Sequence, residues 1–182
     1  MPVHIILLRA IGPVTHKLMS MTQWRDAVAA AGFDDPITFL ATGNMVVSGP
    51  GTAAEVTARM NEIMLSLGLA SSNVAIVRSP AQLRAIVDAD PFPDASAERP
   101  SRMLVYFFAA AKPDFGWVKD YDGHERIAVV DDHLVVDFGG RISDSPRLAG
   151  IVEKRSGQGT GRNWNTLKGL AERATAREQK DK

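Results

Sequence analysis

The chain has 182 residues, 45% of them hydrophobic, and its 21 lysines and arginines balance its 21 aspartates and glutamates. That length suits one large domain or two small ones, and the balance leaves no global field to attract nucleic acid or an anionic membrane. The absence of cysteine excludes disulfides, thiolate chemistry, Cys-ligated zinc and iron–sulfur clusters.

No apolar run approaches the ~18 residues of a membrane span. The first segment, VHIILLR at 3–9, lacks the basic lead and cleavage pattern of a signal peptide. It reads as a buried strand bounded by Gly12-Pro13, and the protein is expected in the cytoplasm. A helix follows, in which Ser20 and Gln23 have capping-box spacing, Met21, Trp24, Val28 and Ala31 recur at helical period, and Gly32 is the stop. ITFLA (37–41) and NMVVS (44–48) flank Thr42-Gly43, which predicts two strands joined by a tight hairpin. The next helix starts at a Thr52/Glu55 capping box, carries Val56, Met60, Ile63 and Leu67 as its apolar stripe, and ends at Gly68. NVAIVRS at 73–79 then predicts a strand, and the order so far is that of a split βαβ, ferredoxin-like half.

Ser79-Pro80 opens a linking helix with Leu83, Ile86 and Val87 buried, stopped at Asp90-Pro91, and PFPDASAERPS reads as a polar linker. RMLVYFFA, a helical turn near 113–121, RIAVV and HLVVDF around Asp131-Asp132, and a helix capped by Ser145-Pro146 repeat the order of the first half. A loop, GQGTG, and the helix NWNTLKGLAERA stand in place of its last strand. The fold class is therefore α+β, two tandem ferredoxin-like halves in one unit. The expected division is 1–79, a linking segment at 80–100, and 101–182 with an extra terminal helix. VHIILLR and MLVYFFA do not alternate in polarity, so both faces of each strand should be covered, by the other half or by a second copy in a homo-oligomer.

The chemistry-bearing candidates are few. DGHE (122–125) and DDH (131–133) could approach across a hairpin, but turns favour Asp and Gly for backbone reasons, and no metal site is expected. GPGT at 49–52 offers helix-start amides without the GK[ST] ending of a P-loop, and GQGTGRN follows a helix where a dinucleotide fingerprint follows a strand. No cofactor is expected. RNA readers of this layout stack bases on exposed aromatics of the central strands, and these strands lack them or bury them. From Arg147 to the end, nine basic residues oppose four acidic ones, a net +5 that reads first as a solvated helix face.

LLRAIGPVTHKLMSMTQWR, ATGNMVVSG and TGRNWNTLKGL together resemble the three signature segments of the bacterial domain-of-unknown-function family 1697. Arg9, Ile11, Lys17, Met21 and Arg25 fit the first, Gly43, Asn44, Val46 and Ser48 the second, and Arg162, Asn163, Trp164 and Thr166 the third. Ala10, Gly12 and Val14-Thr15 depart from the glycine- and asparagine-rich loop that is usual there. The resemblance implies paired ferredoxin-like halves and no particular reaction.

The sequence thus predicts a binding or interaction protein, with a small phosphate- or carboxylate-bearing ligand at Arg9, Lys17, Asn44, Arg162 and Asn163. Arginine would supply a forked donor and asparagine would orient the anion. The same groups could instead satisfy carbonyls where loops converge. The alternatives are an enzyme acting on a small anionic metabolite with His16 as general base, and an RNA-binding module. Trp164, Leu167, Leu170, Ala171 and Ala174 share one helical stripe, so the indole is read as an anchor, with Thr160 or Asn163 as the helix cap.

Overall fold

The computed structural model describes residues 1–182. They form an α+β structure with two four-stranded antiparallel sheets, in two compact units: Met1–Arg84 with Gly169–Lys182, and Ala85–Lys168.

The first unit runs β1 (Val3–Leu8), a short α1 (Pro13–His16), α2 (Met21–Ala30), β2 (Asp34–Thr38), β3 (Asn44–Ser48), α3 (Ala53–Ser66) and β4 (Ala75–Arg78). Its sheet order is β2-β3-β1-β4, so β1 is central and lies between β3 and β4. Both long helices start as their sequences dictate. Ser20 and Gln23 exchange side-chain-to-backbone bonds at the start of α2, Thr52 and Glu55 do so at α3, and each helix ends against a left-handed glycine, Gly32 and Gly68. Their apolar stripes close one core, in which Trp24, Val28, Val56, Met60 and Met64 meet Ile6, Leu8, Met45 and Val47. Ile5 and Leu7, on the opposite face of β1, are equally inaccessible.

The linking helix α4 (Pro80–Ala89) begins at Ser79, whose hydroxyl accepts from Gln82 N at 3.2 Å. The second unit continues with α5 (Pro93–Glu98), β5 (Met103–Phe108), a 3₁₀ turn at Val118–Asp120, β6 (Arg126–Val130), β7 (His133–Asp137), α6 (Pro146–Ser156) and β8 (Gly159–Asn163). Its order is β6-β7-β5-β8. Tyr106, Phe108, Leu134, Val136, Phe138, Leu148 and Val152 form its core, while Val105 and Phe107 are buried on the other face of β5. The last helix, α7 (Trp164–Lys180), follows β8 directly.

Five expectations change. The segment expected as a polar linker contains α5, and its Asp94 and Arg99 carry ion pairs. The β2–β3 connection is residues 39–43, not a two-residue hairpin. β2 starts earlier than predicted, tolerating Pro36 because it is an edge strand. The expected loop GQGTG gives its last three residues to β8, which is paired antiparallel to β5 from Leu104↔Asn163 to Phe108↔Gly159. A Cβ on Gly159 would lie 2.7 Å from the Phe107 carbonyl oxygen, and one on Gly161 3.3 Å from Leu104, so these glycines permit close strand approach. Finally, residues from Gly169 onward group with the first unit. Arg173 stacks 3.9 Å over the Phe39 ring, Arg177 donates to the Asp35 carbonyl at 2.8 Å, and Ser48 donates to Asp181 at 2.8 Å.

Candidate functional site

In the first unit, the loops that leave and approach the C-terminal end of β1 converge. The loop after β1 turns through Ala10, which is left-handed at φ 60°, and Asn73 Nδ2 donates to the carbonyls of Arg9 and Ala10, both at 3.2 Å. Thr15 closes the loop onto Gly12, accepting from its N–H at 2.8 Å and donating to its carbonyl at 2.9 Å. The β2–β3 loop turns through Leu40 at φ 61° and Gly43 at φ 84°. Two hydrogen bonds join these loops, Leu8 N to the Gly43 carbonyl at 2.8 Å and His16 Nε2 to the Ala41 carbonyl at 2.8 Å. A carbonyl can only accept, so His16 carries a proton on Nε2.

The expected site residues divide between the units. Arg9 is half-buried and donates through Nη1 to the Ser72 carbonyl at 3.1 Å, on the β4 side of β1. Lys17 is exposed just beyond α1. Asn44 is fully buried and spends its amide on the β2–β3 turn, donating to the Phe39 carbonyl at 2.8 Å and to Thr42 at 2.9 Å. Arg162 and Asn163 belong to the second unit. Arg162 is a buried strand residue whose Nη1 donates to Thr160 at 2.5 Å and to the Gly161 carbonyl at 3.0 Å, and burial pushes its guanidinium down to about 10. Asn163 is the N-cap of α7, its Oδ1 accepting from Thr166 N at 2.9 Å. Trp164, Leu167, Leu170, Ala171 and Ala174 are all buried.

Parts of the other sequence candidates serve the fold. Two amides of the GPGT turn are already engaged, Thr52 N donating to Glu55 Oε2 at 2.7 Å and Gly49 N to the Pro2 carbonyl at 3.0 Å. His133 is buried edge-on against Phe107 at 5.2 Å, and no group of three or more His, Asp or Glu side chains is placed to hold a metal.

Sequence reading missed a charged cluster in the second unit. Asp137 is buried and accepts from Nε and Nη2 of Arg99 and of Arg126, at 2.7–3.2 Å, and from Gly139 N. Burial alone would raise its carboxyl, but the two guanidiniums prevail and hold it at about 2. Asp94 bridges the same arginines. Nothing local in the sequence signals this, because the partners lie 38 and 11 residues away.

A family described as a protein of unknown function, DUF1697, matches this chain over residues 1–134. The chain belongs to the DUF1697 family. The matched stretch includes the first two signature segments and stops before the RNWNT segment. No curated protein sequence matches the chain. Among solved structures it is similar to the conserved bacterial protein SP0830 from Streptococcus pneumoniae, with a TM-score of 0.74 at 15% identity, over 96% of this chain and 99% of that one. At that identity the likeness is one of fold alone. No helix in this DUF1697 chain is long and apolar enough to cross a membrane.

Proposed function

We propose that this protein is a cytoplasmic binding protein, built from two ferredoxin-like halves, that takes a small carboxylate- or phosphate-bearing ligand at the loop end of β1. The ferredoxin-like reading rests on strand order: in each unit the first strand is central, flanked by the third and fourth, and the second lies at the edge. One observation carries the binding reading. The joined loops 9–18 and 39–44 hold two non-glycine residues in the left-handed region, yet expose Val14 at 74%, Leu18 at 53% and Leu40 at 55% beside Arg9 and Lys17. Strained backbone and exposed apolar surface are both costly, and a chain that keeps them together has a use for that surface. Arg9 and Lys17 supply the charge that selects an anion. Asn44 orders the loop from beneath, and Arg162 with Asn163 serve the second unit.

The enzyme reading retains one favourable observation, the fixed orientation of His16 through Nε2. A thermal-shift screen against phosphosugars and carboxylates tests binding, since a selective ligand raises the melting temperature by mass action. Arg9→Ala/Lys17→Ala should abolish the shift, and His16→Ala should retain it. A ligand that still shifts the double variant would remove the site from these loops.

A further inference from the structure

The second unit has a groove of about 320 Å³ between one face of α6 and the turn that carries Trp117 and Tyr121. That volume lies at the small end of the range for small-molecule sites. Its contents are unusual for a passive surface. Arg147, Ile151, Lys154 and Arg155 recur at helical spacing along one side of α6, while Leu148, Val152 and Ser156 take the buried side. Opposite them stand two half-buried aromatic rings, Trp117 and Tyr121, at 6.1 Å and 83° to each other.

Both rings are fixed from behind. Trp117 Nε1 donates to Ser156 Oγ at 2.9 Å, and that hydroxyl donates onward to the Asp114 carbonyl at 2.6 Å. The Tyr121 hydroxyl donates to the buried Glu125 carboxylate at 2.5 Å. Glu125 also takes the Ser145 hydroxyl, so Ser145 makes no side-chain cap on α6. With their polar ends secured inside, the rings offer the groove carbon surface that is already ordered, so a planar guest would meet little entropic cost. The cations are not secured. The side chains of Lys154 and Arg155 have neither ion-pair nor hydrogen-bond partner. Arg147 pairs only with Asp122, at 3.2 Å between two exposed side chains, an interaction of the kind that contributes little.

We propose that this groove binds a nucleoside monophosphate. The base stacks on one ring of the Trp117–Tyr121 pair and meets the other edge to face, the phosphate takes Lys154 and Arg155, and Asp120 or Asp122 accepts from sugar hydroxyls. An inorganic anion would leave the rings unused, and an apolar guest would leave two adjacent cations unanswered. A phosphate joined to a planar ring uses both. The site is independent of the loops at the end of β1.

Tryptophan fluorescence gives a selective readout, because Trp24 and Trp164 are buried and Trp117 faces the groove. The full chain is titrated with AMP, adenosine and inorganic phosphate. AMP should quench saturably, adenosine more weakly, and phosphate should not quench. Lys154→Ala/Arg155→Ala should weaken AMP by about tenfold or more, as loss of charged hydrogen bonds implies, with an unchanged melting temperature. Arg9→Ala/Lys17→Ala should bind AMP as the parent does. Absence of saturable quenching, equal binding by the α6 variant, or displacement of AMP by phosphate at equal concentration would each overturn the proposal.

Discussion

At Asp137 the chain places one buried carboxylate between two guanidiniums, and removing the charge would leave both with the exposed carboxylate of Asp94. Asp137→Asn should cost about 1 to 3 kcal/mol, the range for charge-assisted hydrogen bonds lost at partly exposed partners, read by denaturant melts. The pH dependence has a definite sign. The folded carboxyl sits at about 2, below the unfolded range near ~3.9, so its stabilisation is complete above the unfolded value and is lost as pH falls toward 2. Acid melts of the parent should therefore steepen below about pH 4, and the Asn variant should lose that part of the slope. Trp164, a buried anchor on α7, should cost about 3 to 5 kcal/mol as Trp164→Ala. Asn163→Ala should cost about 1 kcal/mol, as expected for a lost helix cap. At this scale the stripe and the cap were legible, because both follow from helical spacing. The partners of Arg162 were not, because they depend on a strand that its own residues do not announce.

Elements with strong local signals emerged as read. The capping boxes of α2 and α3, the Asp131-Asp132 hairpin and the β1 and β5 strands all appear where the sequence places them. Three elements obscured themselves for physical reasons. β8 contains glycines at alternate positions, which look like a loop in isolation but allow the close approach to β5. α5 is short and starts at a proline, so it resembles the linker around it. The β2–β3 loop is longer than its sequence suggests because Phe39, apolar enough for a strand, lies in it beneath Arg173 of α7. Gly43 makes the consequence testable. At φ 84°, with a would-be Cβ 2.8 Å from Leu8 Cβ, it admits no side chain. Gly43→Ala should destabilise by about 1 kcal/mol or more and should speed hydrogen exchange at Leu8 N, whose acceptor is the Gly43 carbonyl.

For the molecule as a whole, the sequence conveyed two similar α+β halves but not the return of residues 169–182 to the first. That return depends on Arg177 with Asp35, Arg84 with Glu178, and Ser48 with Asp181, pairs separated by ninety or more residues, which no local pattern reveals. Removing residues 177–182 should raise exchange rates in β2 and β3 and leave β5–β8 protected, a result that exchange mass spectrometry would read directly. The placement of the candidate residues was partly legible. Arg9 and Lys17 are at the converging loops, while Asn44, Arg162 and Asn163 do structural tasks that look the same in one dimension.

The central claim is that ligand binding belongs to the loop end of β1 and that the RNWN segment is scaffold. Amide chemical-shift mapping on the labelled full chain, titrated with whichever phosphosugar or carboxylate raises its melting temperature, tests this most directly. The account predicts shifts concentrated at residues 9–18 and 39–44. Shifts concentrated at residues 159–166, with those loops unmoved, would contradict it.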